Sequence, residues 1–127
     1  MQTTFQEAHF PGREPIDAYG NGGFRFAGMS HRGAILCLPS GIHAWRAKSP
    51  ADLEVRTFAP VLAEADEIEI LLVGSGATLA PLPEALRRRL REAGISADAM
   101  STGAAVRTFN VLLAERRAVA AALLAVE

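Results

Sequence analysis

The sequence predicts an α/β fold, a layered domain with at least partly parallel strand pairing. Three observations carry this. The second half of the chain runs strand, helix, strand, helix, the order that builds βαβ units. The first third alternates short apolar runs with glycine-rich turns, as antiparallel strands do. Residues 100–117 carry apolar side chains at helical spacing and so have one face to bury.

In chain order, residues 1–15 are polar and hold Pro11, Gly12 and Pro15, which predicts a flexible N-terminal arm and leaves 16–127 as a single α/β domain. Gly20, Asn21, Gly22 and Gly23 form a turn cluster that reaches positive φ at little cost. Phe24 and Phe26 alternate with Arg25, the period of a half-buried strand. Residues 29–33 read as another turn. The continuous apolar run Ala34-Ile35-Leu36-Cys37-Leu38, stopped by Pro39, suits a central strand. Trp45 is expected as a packing anchor over the sheet. Ser49-Pro50-Ala51-Asp52 signals a turn or helix start, and Phe58, Val61 and Leu62 predict a short helix over 58–65 that Pro60 can begin.

The strongest strand signal is Ile68-Glu69-Ile70-Leu71-Leu72-Val73, which ends in Gly74-Ser75-Gly76. A helix then follows from Pro83 to Ala93, with Leu82, Leu86, Leu90 and Ala93 as its buried stripe and Gly94 as its C-terminal cap. Residues 95–100 form a second short strand. In the next helix Ala105, Val106, Phe109, Leu112 and Leu113 share one arc, while Arg107, Thr108, Val111 and Glu115 project from the other side. Ser101 or Thr102 starts it by accepting a first-turn N–H. Residues 118–126 fit two readings. Alanine propensity favours helix, while the alternation Val119, Ala121, Leu123, Ala125 fits a final strand.

Composition narrows the function class. A chain of 127 residues, half of them apolar, makes one domain able to bury roughly two thirds of its unfolded surface. No apolar run approaches the ~20 residues that span a bilayer, so no membrane insertion is expected. The first ten residues lack the basic and apolar regions of a secretory signal. A single cysteine excludes an internal disulfide, and the expected setting is the reducing cytoplasm. A net charge of −1 argues against nucleic acid as a general partner.

No constellation amounts to a catalytic signature. Gly74-Ser75-Gly76 after a strand invites a phosphate-loop reading, but Leu79 stands where the dinucleotide fingerprint needs a third small residue. Arg87, Arg88, Arg89 and Arg91 spread around a helix with Glu84 and Glu92 four residues either side of Arg88, which predicts a solvated, charge-paired face. Cys37 lies in an apolar run, where a thiol is an inert small hydrophobe. His9, His31 and His43 lack metal-ligand spacing, Ser75 lacks the hydrolase elbow, and neither metal nor cofactor is expected.

What remains is a polar cleft between the Gly74-Ser75-Gly76 loop and the N-terminal half of the last helix, lined by Thr102, Arg107, Thr108 and Asn110. The bland alternative is that Asn110 satisfies a nearby loop and Arg107 is exposed or ion-paired. Arg107 adds positive charge near a helix end that is already positive. A negative group is therefore expected beside it, either on a partner, as a small anion, or from the chain itself at Asp98.

An ordered set of motifs completes the reading: Tyr19-Gly20 with Gly22-Gly23-Phe24-Arg25, Gly33-Ala34-Ile35-Leu36, Trp45, Ile70-Leu71-Leu72-Val73-Gly74-Ser75-Gly76, Thr102 with Ala104-Ala105, Thr108-Phe109-Asn110, and Glu115-Arg116-Arg117-Ala118-Val119 running on to Leu123. In this set the chain resembles a family of small proteins of largely unknown function, which includes a mitochondrial assembly factor for respiratory complex I and an adipogenesis-associated protein. The resemblance implies a three-layer α/β domain around a central mixed sheet of about five strands, and it makes 118–124 the last strand. Two departures stand out. The family commonly has an acidic residue where this chain has Ser101, and a glycine where it has Arg116. The implied role is a non-enzymatic binding or assembly module with a protein partner. A small-ligand or anion site, or a cryptic enzyme, in the cleft is the alternative.

Overall fold

The computed structural model describes residues 9–127. In chain order the elements are β1 (His9–Phe10), β2 (Ala18–Gly20), β3 (Gly23–Phe26), β4 (Met29–Arg32), β5 (Ile35–Leu38), β6 (Gly41–Ala44), α1 (Ala59–Ala63), β7 (Ile70–Gly74), α2 (Glu84–Glu92), β8 (Ser96–Met100), α3 (Thr102–Ala114) and β9 (Val119–Leu123). The central sheet has the order β1-β6-β5-β9-β7-β8, and β2-β3-β4 form a separate antiparallel sheet. β9 pairs antiparallel with β5 and parallel with β7, which also pairs parallel with β8. The sheet is thus mixed, with five main strands and the two-residue β1 at one edge.

Strand alternation divides the core between the two faces of this sheet. Leu36, Leu38, Leu71, Val73, Ala120 and Ala122 face α2 and the 45–61 segment, where they meet Leu82, Leu86, Leu90, Trp45 and Phe58. Ile35, Cys37, Leu72, Val119, Ala121 and Leu123 face the other way, onto Ala105, Val106 and Phe109 of α3 and Phe24 and Phe26 of β3. Two covering layers and the sheet between them make the three-layer α/β domain expected from the resemblance. Trp45 anchors as expected: its ring meets Phe58 edge-on at 5.3 Å, and its indole N–H donates to Thr57 O at 2.8 Å.

The span expected to be the last strand, 118–124, holds β9 at Val119–Leu123, and all five of its residues are buried. Burial between two strands and under two layers outweighs the helix propensity of three consecutive alanines, which is worth only tenths of a kcal/mol per residue. One expectation fails in the first third. The turn expected at 29–33 is instead β4, and the turn sits at Ala27-Gly28, where φ is 49° and 77°. Asn21-Gly22 makes the preceding two-residue turn with φ of 54° and 79°. Ala27 carries no turn signature, and β4 is an edge strand of mostly polar, mostly exposed residues with no apolar alternation to read. β6 carries no strand signal in sequence either, with only Gly41 and Ile42 buried.

Both long helices end in the same motif. In α2 the Gly94 and Ile95 N–H groups bond back to Arg91 O and Leu90 O at 3.0 Å each, with Gly94 at φ 85°. In α3 the Arg116 and Arg117 N–H groups bond back to Leu113 O at 2.9 Å and Leu112 O at 3.0 Å. Arg116 takes φ 61°, the left-handed conformation that glycine adopts most easily. This is the position where the resemblance noted above implies glycine. The helix therefore stops at Ala114 rather than running to Arg117.

Of the N-terminal arm, residues 1–8 lie outside the described residues. His9 and Phe10 pair with His43 and Ile42, and Arg13 Nη1 donates to Val119 O at 3.2 Å. The α2 arginines are exposed as expected, but the predicted charge pairing is absent: among the described residues neither Glu84 nor Glu92 forms an ion pair with Arg88. On a solvated face such pairs are worth little, so the side chains stay apart.

Candidate functional site

The carboxyl ends of β7 and β8 lie side by side. From β7 the chain crosses to α2 on one face of the sheet, and from β8 to α3 on the other. Adjacent strands whose connections leave in opposite directions open a crevice, the usual ligand position in such folds. Here the crevice is stitched shut. Ser75 N–H donates to Met100 O at 2.9 Å, and Thr102 N–H to Gly76 O at 2.8 Å. The Thr102 hydroxyl accepts from Gly76 N–H at 3.0 Å and donates to Leu124 O at 2.7 Å. Gly74 has to be glycine, since a Cβ there would stand 2.9 Å from Thr102 Cα.

Ser75 is buried to 2% exposure, and its hydroxyl serves the loop. It donates to Thr78 O at 2.8 Å, with Met100 O at 3.2 Å, and accepts from Ala80 N–H at 2.8 Å. Gly74, Ser75, Gly76 and Thr102 are therefore brought together as expected. The Ser75 and Gly76 N–H groups that a phosphate loop would offer are already bonded within the chain.

Arg107 stands one turn along α3 from Gly103 and lines an open cleft of about 500 Å³ with Tyr19, Gly76, Ser101 and the Ala125–Glu127 tail. Ser101 caps the helix by accepting from Ala104 N–H at 3.3 Å. Arg107 is exposed and has no ion-pair partner among the described residues, Asp98 included. Thr108 and Asn110 do not line this cleft. Asn110 instead clamps the start of the domain. Its Oδ1 accepts from Ile16 N–H at 2.9 Å, and its Nδ2 donates to Ile16 O at 2.8 Å.

Two residues of the cleft escaped the sequence reading. The Tyr19 ring, 42% exposed, rests over Gly103, where any Cβ would strike its hydroxyl and lie 3.5 Å from Arg107 Nη1. The signal was an aromatic residue on an otherwise exposed strand, together with a glycine in a first helical turn, where Gly is unfavourable unless something packs on it.

A serine–histidine contact, also unread in the sequence, lies at the opposite end of the sheet. Ser40 Oγ is 2.9 Å from His43 Nε2 and 2.6 Å from Glu64 Oε2, and Ser40 N–H donates to Glu64 Oε1 at 2.9 Å. The hydroxyl has one proton, and the ionised carboxylate only accepts. Ser40 therefore donates to Glu64 and accepts from His43 Nε2–H, the reverse of an imidazole base activating a serine. Burial pushes the Cys37 thiol far above its ordinary pKa, which leaves it without thiolate character. Among the described residues no group of three or more His, Cys, Asp or Glu could hold a metal, and no helix is long and apolar enough to cross a membrane.

Comparison with known proteins identifies relatives of the whole domain. Residues 16–124 match the family described as Protein of unknown function (DUF498/DUF598). An uncharacterised protein of Rhodobacter capsulatus is 44% identical over 119 residues, which cover 94% of this chain and 90% of that protein. The NADH dehydrogenase (ubiquinone) 1 alpha subcomplex assembly factor 3 of Xenopus tropicalis is 31% identical over 109 residues, covering 86% of this chain and 60% of that longer protein. Among solved structures, one described as an outer membrane protein from Bartonella henselae is 64% identical, with a TM-score of 0.91 over 94% of this chain and all of that one. With the family's span running from the Asn110-clamped Ile16 to Leu124 beside Thr102, the chain belongs to the DUF498/DUF598 family of proteins of unknown function.

Proposed function

We propose that this chain is a non-enzymatic binding module that assists assembly of a protein complex, a respiratory or other membrane complex among the candidates. One observation carries the reading: Arg107, exposed and without an acidic partner among the described residues, stands beside Tyr19 at the carboxyl end of the parallel strands. Arginine and tyrosine are the residue types that anchor protein interfaces. Val111, one turn further along α3 and 56% exposed, extends the same surface with an apolar side chain. The relative named as a complex I assembly factor supports the choice of an assembly role.

The alternative, a small-ligand or anion site built from the Gly74-Ser75-Gly76 loop, Arg107 and Asn110, has less to draw on. The Ser75 and Gly76 N–H groups and both ends of the Asn110 amide are taken.

The test is Arg107→Ala. The variant keeps the stability of the parent within about 0.5 kcal/mol, as exposed positions do. A tagged parent expressed in its native host retains partners that the variant loses. An identical set of captured proteins for both would remove Arg107 from any interface, and a variant that unfolds readily would make it structural. A thermal-shift screen of anions and nucleotides separates the alternative, since a ligand at 100 times its Kd adds about 2.7 kcal/mol.

A further inference from the structure

The cleft at Arg107 continues around the C-terminal tail, through Ala125 and Glu127, into a larger open groove of about 1000 Å³. Its cations are Arg32 at the end of β4 and Arg46 and Lys48 beyond β6, against Glu127 as the one acidic side chain in its lining. Trp45 and Ala47 are buried while Arg46 and Lys48 are exposed, and this alternation puts both cations on one side of the segment. Same-side residues of an extended chain recur about every 6.6 Å. Neither Arg46 nor Lys48 has an ion-pair partner among the described residues.

The opposite end of the sheet is mixed in charge, with exposed Arg116 and Arg117 just before β9 and Arg117 paired with Glu69 at 3.7 Å. Exposed Asp66, Glu67 and Glu69 precede β7, and half-buried Glu64 holds Ser40 there.

We propose that the groove of Arg32, Arg46 and Lys48 is the docking site for an acidic segment of a protein partner. This rests on the binding role proposed above and names the chemistry of the partner. Charge complementarity selects the occupant. A short acidic segment feels mainly the nearby cations, because charges beyond about 8–10 Å are screened at physiological salt. A single-stranded nucleic acid would need a stacking face, and Trp45, the groove's tryptophan, is buried with its N–H committed and offers none.

The experiment measures binding of a fluorescent oligoglutamate peptide of about ten residues by anisotropy at low and physiological salt. The parent binds, more weakly as salt rises. Arg46→Glu with Lys48→Glu, both exposed and away from the core, folds normally by circular dichroism and weakens binding at least about tenfold. The control Arg88→Glu with Arg89→Glu on α2 leaves binding unchanged. Equal losses from both pairs, no binding by the parent, or tighter binding of a single-stranded oligonucleotide or inorganic phosphate would each overturn the proposal. If the peptide does not bind but Arg107→Ala still loses partners, the groove assignment fails and the binding role stands. If the peptide binds at Arg46 and Lys48 while partner capture ignores Arg107, the reverse holds.

Discussion

Replacing Thr102 with valine keeps the shape of a fully buried side chain and removes only its hydroxyl. That hydroxyl joins three elements, since it sits on the first residue of α3, accepts from the loop after β7 and donates to the residue after β9. In the valine variant two groups lose their partner. Leu124 is 1% exposed, so its carbonyl has no water to turn to, and an unsatisfied buried acceptor costs about 1–3 kcal/mol. Gly76 is half-buried, and its N–H regains part of the loss by hydration. The sum is about 2–4 kcal/mol, a large fraction of the ~5–15 kcal/mol that holds a domain together. Urea denaturation reads it directly. With a slope near 1–3 kcal/mol/M, the midpoint falls by about 1–2 M while the slope stays constant. Thr102→Ser is the control, because it retains both bonds and loses one buried methyl, about 1 kcal/mol. If valine and serine differ by less than about 0.5 kcal/mol, the hydroxyl is not what closes the crevice.

Three further outcomes are expected. Phe109, 2% exposed at the centre of the α3 face, costs about 3–5 kcal/mol when cut to alanine, and a loss under about 1 kcal/mol in denaturation would mean that α3 packs differently. Arg116→Gly relieves the left-handed cap of α3 and raises stability by about 0.5–1 kcal/mol in calorimetry; a destabilised variant would show that the arginine side chain makes compensating contacts. Cys37 does not react with a thiol reagent near pH 8 until urea unfolds the chain, because burial holds its thiol protonated; rapid labelling of the folded protein would contradict that burial.

By itself the sequence determined the elements whose signals are local and repetitive. The apolar runs at 34–38 and 68–73 are buried on both faces and are located by their continuity, while the stripe Leu82, Leu86, Leu90 and the arc around Phe109 each bury one face and are located by periodicity. It also located Asn21-Gly22, because that dipeptide suits two successive positive φ angles. β4 and β6 escaped, since few of their residues are buried and neither shows an apolar alternation, although each pairs with the strand just before it. β9 was ambiguous for a different reason. Alanine is indifferent enough that the choice between helix and strand belongs to β5 and β7 on either side of it, and the family resemblance stood in for that context.

For the candidate site, the sequence named the loop at 74–76 and the start of α3, but not what each polar group does. Only tertiary structure decided that Thr102 spends its hydroxyl on Gly76 and Leu124, that Asn110 clamps Ile16, and that Arg107 is left exposed beside Tyr19. The physical reason is that a hydrogen-bonding group carries no label for its partner in the sequence. Whether it faces a ligand or another part of the chain depends on which backbone groups the fold brings within about 3 Å of it.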